Sequence, residues 1–321
     1  MKKIITLLST LVITTGVIFA AGSQEPSSKE GKKLTIGFSQ IGAESAWRTA
    51  ETESIKATAA ERGIDLKFSD AQQKQENQIK AIRSFIAQKV DGIILAPVVE
   101  TGWEAVLQEA KAAKIPVVLV DRGIKVSDES LYTTLIASDF IWEGQEAAKF
   151  LAKKMNGKGN IVELQGTPGA SAAVDRKKGF EQALAAYPEM KIIKSQTGDF
   201  TREGGYQVMQ AFLKSDGDKI NAVYAHNDDM ALGAIKAIEE YGKKPGKDIL
   251  LVGVDGVKGA FEAMVEGKMN ATVECNPLLG PQAFDAIARA IAGETLPKWI
   301  KSIDRVYTME EAKDVIATRK Y

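Results

Sequence analysis

The chain has 321 residues, of which 45% are hydrophobic and 26% charged, and its formal net charge at pH 7 is zero. This is the composition of a globular protein with material for one large or two medium cores. The zero charge argues against a nucleic-acid binder, and a single cysteine, Cys275, excludes an intrachain disulfide.

The N-terminus has the pattern of a secretory signal peptide. Two lysines precede an apolar run that reaches Ala21, and small residues follow. Residues 1–22 are therefore predicted to be a cleaved signal peptide, and the polar residues 23–33 a disordered leader. An uncleaved anchor helix is the alternative, but Thr and Ser interrupt the run. No cysteine follows the run to carry a lipid anchor, so we expect a freely diffusing exported protein, which in a bacterium means the periplasm.

From Leu34 onward, short apolar runs alternate with segments of helical spacing. The predicted strands are, in chain order, LTIGF, IDLKFS, DGIILAP, IPVVLVD, NIVELQG, KIIKSQ, NAVYAHND, ILLVGVDG and NATVE. Runs of Val, Ile and Leu that are apolar on both sides indicate strands covered on both faces, as in a parallel sheet. Alternating strands and helices predict an α/β doubly wound fold, and their number suggests two domains.

Two of the intervening segments show a helical apolar face. The face of the first consists of Ile79, Ile82, Ile86 and Val90. The face of the second consists of Ala283, Ile287 and Ile291, and Gly293 can end that helix.

The carboxyl ends of the predicted strands, where open α/β sheets bind ligands, are unusually polar. The residues at these ends are Trp47, Arg48, Asp70, Gln72, Gln73, Asp121, Arg122, Asp175, Arg176, Asp199, Phe200, Arg202, His226, Asn227, Asp228 and Asp255. Each has an ordinary explanation by itself: helix caps for Asp and Asn, a local ion pair for Asp121 and Arg122, packing for Trp47, and a turn at the pocket rim for His226.

The recurrence of arginine, carboxylate, amide and aromatic side chains favours a sugar ligand. Sugar hydroxyls both donate and accept hydrogen bonds, and the apolar face of a sugar ring packs on an aromatic plate. No G-x-x-x-x-G-K-[ST] phosphate loop, H-E-x-x-H or C-x-x-C occurs in the sequence. No cofactor and no transition-metal site are therefore predicted.

At these positions the sequence resembles a known family, the periplasmic sugar-binding proteins of the ribose-binding class that serve ABC transporters. The resemblance covers residues 34–321 and rests on DGIILAPVV, VVLVDR, LQGTPGASAAVDRKKGF, GDFTREGG, AHNDDMALGAIKAI and VGVDG. It implies an α/β two-lobe periplasmic binding protein fold (type I), with a parallel sheet and flanking helices in each lobe and three hinge strands. The implied N-terminal lobe is 34–138 plus 275–302, and the implied C-terminal lobe is 139–274 plus 303–321.

The resemblance also implies which residues bind the sugar. The family's contacts fall on Asp121, Arg122, Arg176, Phe200, Asn227 and Asp255. Ribose binders have Phe residues where this chain has Trp47 and Arg48, which favours a hexose in furanose form, with Glu51 beside them as a further candidate. Cys275 stands where ribose binders have Gln, and we expect it at the hinge, on the pocket edge.

The members that bind galactofuranose are the most similar in FSQIGAESAWRTAE, DAQQKQENQIKAIRSFIAQ and APVVETGWE. Galactofuranose is therefore the first expected ligand, with arabinose, galactopyranose and ribose as alternatives. The resemblance implies a monomer that delivers its sugar to a membrane permease, and a chemoreceptor is a possible further partner. The basic tail ATRKY is expected to be a solvated terminus or part of the face toward the permease.

Two other classes of protein remain as alternatives. A repressor with the same sugar-binding core would need a helix-turn-helix head where this chain has its signal peptide. A glycosidase could use Asp121 and Asp255 as a carboxylate pair, which in such enzymes lies roughly 5–9.5 Å apart. The only histidine, His226, limits triad chemistry, and we expect a binding protein rather than an enzyme.

Overall fold

The computed structural model describes residues 33–321. The predicted signal peptide and all but the last residue of the predicted leader lie outside these residues. Within 33–321, no helix combines the length and the apolar character needed to cross a membrane.

Two sheets of six strands organise the described part of the chain. The first sheet, in the spatial order β11-β5-β4-β3-β1-β2, contains β1 (Thr35–Gln40), β2 (Asp65–Asp70), β3 (Gly92–Leu95), β4 (Val117–Val120), β5 (Thr134–Ala137) and β11 (Trp299–Lys301). The second sheet, in the order β12-β10-β9-β8-β6-β7, contains β6 (Lys158–Gln165), β7 (Glu189–Thr197), β8 (Ala222–Ala225), β9 (Leu250–Asp255), β10 (Ala271–Glu274) and β12 (Val306–Thr308).

Helices pack on both sheets. Those of the first sheet are α1 (Ala46–Glu61), α2 (Gln75–Ala87), α3 (Glu104–Ala112) and α9 (Gly280–Ile291). Those of the second sheet are α4 (Phe140–Lys154), α5 (Ser171–Leu184), α6 (Arg202–Asp216), α7 (Asp228–Glu240), α8 (Lys258–Val265) and α10 (Ala312–Val315). We call each sheet with its helices a lobe, the first and the second. The predicted α/β two-lobe fold is confirmed.

The apolar runs form strands that are buried on both faces, as is typical of parallel sheets. Every residue of β3 and of β4 is buried, and these two strands pair in parallel. The prediction of wholly parallel sheets is wrong at one place. Strand β12 runs antiparallel to β10, with Ala271 opposite Thr308. It lies at the edge of the second sheet, after the chain has returned from the first.

The predicted helical faces hold in part. On α2 the buried side chains are Gln78, Ala81, Ile82 and Phe85, whereas Ile79 and Ile86 are only half-buried. On α9, Ala283 and Ile287 are buried but Ile291 is 45% exposed. The buried stripe of α9 ends one turn before Ile291, and Gly293 follows the helix with a φ of +81°.

Candidate functional site

A cavity lies between the two lobes, at the carboxyl ends of their strands. It contains about 280 Å³ of space not filled by atoms, a volume that includes space open to solvent. Its lining residues are Glu44, Ser45, Trp47, Arg48, Asp121, Arg122, Ala172, Arg176, Phe200, Asn227, Asp255 and Cys275.

The structure brings together every candidate ligand residue of the sequence except Glu51. That carboxylate is fully buried one turn further along α1, where it contacts Arg48 and Gln40. Three lining residues, Glu44, Ser45 and Ala172, were not among the candidates. Glu44 could have been found, because it precedes Arg48 by four residues and can pair with it at the start of a helix.

Trp47 occupies the first turn of α1 and connects the two lobes. Ser45 caps this helix by accepting a hydrogen bond from the Arg48 backbone N–H. The Trp47 ring is 4% exposed and packs in the hydrophobic core of the second lobe. Its Nε1–H donates to the carbonyl of Cys275 at 2.5 Å. Trp47 therefore presents a fixed aromatic face beside the cavity.

Arg48 is the centre of an acidic cluster. Its guanidinium donates to Glu44 at 3.0 Å, to Asp121 at 2.6 Å and to Glu51. Burial lowers the pKa of Arg48, but the three carboxylates outweigh this effect and hold the pKa well above its usual value. Burial raises the pKa of Glu51 to about 7, although Arg48 opposes the shift. Arg48 is thus a permanently charged donor that its neighbours keep in one orientation.

Asp121 and Arg122 follow β4 and keep bonding capacity for a ligand. Arg122 donates through Nη1 to the carbonyl of Val98 at 3.1 Å, while its buried Nε has no hydrogen-bond partner among residues 33–321. Burial and the nearby charge of Arg48 lower the pKa of Arg122 to about 10. Only one oxygen of Asp121 accepts the bond from Arg48, so the other oxygen can accept from a hydroxyl.

Arg176 is the buried arginine of the second lobe that corresponds to Arg48 in the first. From the second turn of α5, its Nε donates to Glu143 at 2.7 Å and its Nη1 to the carbonyl of His226 at 2.6 Å. Its Nη2 lies 3.7 Å from Asp255. Burial raises the pKa of Asp255 well above its usual range, and Arg176 opposes that shift. A hydroxyl that donates to Asp255 would stabilise the charged carboxylate.

Phe200 and Asn227 complete the second lobe's contribution. The Phe200 ring lies 5.1 Å from the Arg122 guanidinium and 6.0 Å from that of Arg176, within the range of cation–π contact. Gly166 makes room for this ring, because a Cβ there would lie 1.9 Å from it. Asn227 caps α7 and donates from Nδ2 to the Phe200 carbonyl at 2.9 Å. One Nδ2 hydrogen of Asn227 remains for a ligand.

Three of the lining residues have positive φ angles. Asp121 and Phe200 have φ of 61°, and Asp255 has φ of 129°. Residues without glycine's freedom adopt such angles at a cost of about 1–3 kcal/mol, which concentrates at binding and catalytic sites. Three strained positions therefore line the cavity.

His226 was expected at the pocket rim, and that expectation is wrong. The ring is fully buried and does not line the cavity. Its Nδ1 accepts from the Gly166 N–H at 3.3 Å, and its Nε2 lies 3.0 Å from Glu163. Nε2 must then carry the proton, and burial lowers the pKa of this neutral histidine. Its backbone carbonyl, rather than its ring, serves the site by holding Arg176.

The remaining polar residues at the strand ends do not line the cavity. Asp228, which we considered as a helix cap, lies in the first turn behind the cap Asn227 and bonds to Thr272. The other strand-end side chains that do not line the cavity are Asp70, Gln72, Gln73, Asp175, Asp199 and Arg202.

Direct contacts also join the two lobes around the cavity. Arg202 holds Asp229, whose carboxylate accepts the Ala46 N–H at 2.7 Å. The Glu100 N–H donates to the carbonyl of Gly169 at 2.9 Å. The Gly123 N–H donates to the hydroxyl of Ser171 at 2.9 Å. The lobes are therefore closed on one another.

Glu143 gives the site a dependence on pH. Burial raises its pKa from the ordinary 4.5 to about 7, although Arg176 opposes the shift. The folded protein thus binds this proton more tightly than the unfolded chain does. The stabilising contribution is complete below pH 4.5 and is lost as the pH rises through 7. Between pH 5 and 8 we expect the melting temperature of the wild type to fall relative to that of Glu143→Gln.

Thermal unfolding at several pH values checks this expectation. Glu146→Gln is the matched control, because Glu146 lies on the same helix and pairs with Lys149 at the surface. A constant difference in melting temperature between the wild type and Glu143→Gln across that range would contradict it.

The arrangement can bind a small polyol. The cavity presents guanidinium and amide donors, carboxylate acceptors and two aromatic rings from the two lobes. Among the acceptors, Asp121 is held in place by Arg48 at 2.6 Å.

Comparison with known proteins agrees with this geometry. A profile of the periplasmic binding protein domain matches residues 36–295. The chain is 51% identical to the galactofuranose-binding protein of Escherichia coli, over 95% of this chain and 97% of the relative.

Two solved structures are similar to the described lobes. One is the periplasmic binding protein of the arabinose ABC transporter from Shewanella sp. ANA-3, bound to α- and β-L-arabinofuranose. It is 58% identical, with a TM-score of 0.87, and the match covers 89% of this chain and 96% of that one. The other, from Mycobacterium smegmatis in complex with β-D-fucofuranose, is 52% identical, with a TM-score of 0.87 and coverage of 90% and 95%. The chain therefore belongs to the periplasmic binding protein domain family, with the two-lobe type I fold of its sugar-binding members.

Proposed function

We propose that this protein captures a monosaccharide in its furanose form, galactofuranose first, and delivers it to the permease of an ABC transporter. The observation that carries the proposal is the cavity between the lobes, which offers aromatic plates and charged hydrogen-bonding groups from both sides. The ligands of three similar proteins, galactofuranose, L-arabinofuranose and β-D-fucofuranose, are all furanoses.

Within this proposal each side chain has a role. Trp47 stacks on one face of the sugar and Phe200 closes against the other. Arg48, Arg122 and Arg176 donate to ring and hydroxyl oxygens, whereas Asp121 and Asp255 accept from hydroxyls. Charge-assisted bonds of this kind contribute roughly 1.5–3 kcal/mol each. Because the groups come from both lobes, the ligand binds the closed form better than an open one.

We further propose the lobe boundaries, the location and the partners that the sequence predicts. The hinge lies near residues 138–139, 275–276 and 302–303. Support comes from the chain path, which leaves one sheet for the other after Ala137, Glu274 and Lys301. The protein acts in the periplasm as an unanchored monomer. The signal-peptide pattern of its first 22 residues supports this location. A membrane permease recognises the closed form of the two lobes, and in some settings a chemoreceptor does so as well.

The ring form is tested with sugars that can close in only one way. A galactose without its C5 hydroxyl forms only the furanose, and one without its C4 hydroxyl forms only the pyranose. We expect calorimetric titration of residues 23–321, freed of carried-over ligand, to show one-to-one binding of the 5-deoxy sugar and none of the 4-deoxy sugar. The corresponding 5-deoxy- and 4-deoxy-L-arabinoses are titrated in parallel, and the tighter of the two furanoses identifies the preferred carbon skeleton.

The reverse pattern, with the 4-deoxy sugars bound and the 5-deoxy sugars ignored, would contradict the furanose assignment. Incubation with aryl furanosides serves as the test against an enzyme, since release of free sugar would contradict a pure binding role.

A further inference from the structure

The orientation of Asp255 depends on its backbone rather than on bonds of its side chain. Asp255 is the last residue of β9 and has a φ of 129°. Within residues 33–321 its carboxylate accepts no hydrogen bond, and the Nη2 atom of Arg176 lies 3.7 Å away. The direction in which this carboxylate points is therefore set by the turn that follows, Asp255 to Val257.

That turn is held from two sides. On one side, Asp228 accepts from the backbone N–H of Gly256 at 2.8 Å and from that of Val257 at 3.1 Å. On the other side, Arg319 donates to the Gly256 carbonyl from Nε at 3.2 Å and from Nη2 at 2.8 Å. Two N–H groups of the planar guanidinium thus converge on the carbonyl oxygen of the peptide between Gly256 and Val257.

Arg319 also reaches the neighbouring segment of the site. Its Nη1 donates to Glu274 at 2.8 Å, and Glu274 directly precedes the lining residue Cys275. The Cys275 N–H in turn donates to the carbonyl of Asp255 at 3.1 Å. One guanidinium therefore fixes the spacing between two segments that line the cavity.

The surroundings of Arg319 leave it little freedom. The guanidinium lies 4.9 Å from the ring of Phe261, 5.0 Å from that of Tyr307 and 4.6 Å from that of Tyr321. The side chain is 7% exposed, so of the two expectations for the ATRKY tail, that of a solvated terminus does not hold at this residue. Lys320, its neighbour, is exposed.

We infer that Arg319 is a positioning residue for ligand binding, which rests on the proposed function of the cavity. It does not line the cavity. It acts by holding the Gly256 carbonyl, and so the carboxylate of Asp255, in place against Glu274. Without it the Gly256 carbonyl loses both of its donors. The turn then keeps the bonds of its N–H groups to Asp228 and Thr272 and the bond from the Cys275 N–H to the Asp255 carbonyl, and Asp255 samples directions in which it misses the sugar hydroxyl.

The first test needs no ligand. Amide hydrogen exchange of the sugar-free protein is measured for the wild type, Arg319→Ala and the control Lys320→Ala. We expect the amides of Gly256 and Val257 to exchange faster in Arg319→Ala alone. Exchange at these amides equal to that of the wild type would overturn the inference, whichever sugar the protein binds.

The second test asks whether Arg319 acts through Asp255. Arg319→Ala should weaken binding of the preferred furanose roughly tenfold, as expected for partial loss of one charge-assisted hydrogen bond. In an Asp255→Asn background the same substitution should change affinity less than twofold, whereas Lys320→Ala has no effect in either. An equal loss in both backgrounds would overturn the inference.

Arg319→Lys covers the case in which the alanine variant does not fold. Lysine keeps the positive charge near Glu274 but lacks the planar fork whose two N–H groups converge on the Gly256 carbonyl. We expect it to retain the melting temperature and still show faster exchange at Gly256. Wild-type protein that binds none of the test sugars would count against the proposed function, while the exchange measurement would still decide the role of Arg319.

Discussion

Arg176→Ala is expected to abolish measurable sugar binding and to lower the melting temperature by about 5–10 °C, the largest effect of any single substitution we propose. The alanine removes the guanidinium that we propose as a donor to the ligand. It also leaves Glu143, which is fully buried, without the partner that it holds at 2.7 Å. Breaking such a buried pair costs about 3–5 kcal/mol, because the Glu143 carboxyl stays buried without its partner and must be either uncompensated or protonated.

Two further variants separate these effects, with affinity measured by calorimetry and unfolding by a thermal melt. Arg176→Lys keeps a positive charge but not the fork that joins Glu143 to the His226 carbonyl, so we expect partial recovery of stability and little recovery of binding. Lys178→Ala removes a charge from the exposed side of the same helix and should leave both quantities unchanged. An affinity of Arg176→Ala within threefold of the wild type would exclude a direct role for this arginine.

Trp47→Ala is expected to weaken binding by well over tenfold, to about a hundredfold. The substitution removes the aromatic plate beside the cavity. It also removes the Nε1–H donor to the Cys275 carbonyl, which lies at the proposed hinge. Trp47→Phe keeps a ring but not the donor, so the difference between the two variants measures the stacking contribution.

Trp299→Ala serves as the size-matched control. That ring is 43% exposed and does not line the cavity, so its loss should leave affinity nearly unchanged. Titration of the three variants with the same furanose checks the expectation, and an unaltered affinity of Trp47→Ala would contradict the role that we give to this ring.

Much of the fold follows from local patterns in the sequence. The runs GIIL and VVLV are apolar on both faces, and both form fully buried parallel strands. The strands that the patterns did not reveal are β5, β11 and β12, which have three or four residues each. In such short segments alternation and composition carry little signal, and tertiary pairing decides the structure.

The sequence predicted which kinds of residue form the site, but not which of them line the cavity and which lie behind it. Asp121, Arg176 and Asp255 could be predicted from their positions after strands, because the topology alone brings these strand ends together. The sequence could not separate Glu44 from Glu51, since both lie within one helical turn of Arg48. Helical side chains lean toward the N-terminus, and in the structure Glu44 lines the cavity while Glu51 bonds to Gln40 behind it.

The direct contacts between the lobes have a kinetic consequence. The bonds from Ala46 to Asp229, from Glu100 to Gly169 and from Gly123 to Ser171 hold the lobes together without involving the ligand. A sugar enclosed between them can escape only after these bonds break. Its residence time is therefore set by how often the lobes separate, so ligands of different affinity can share one slow release rate that an encounter with the permease can accelerate.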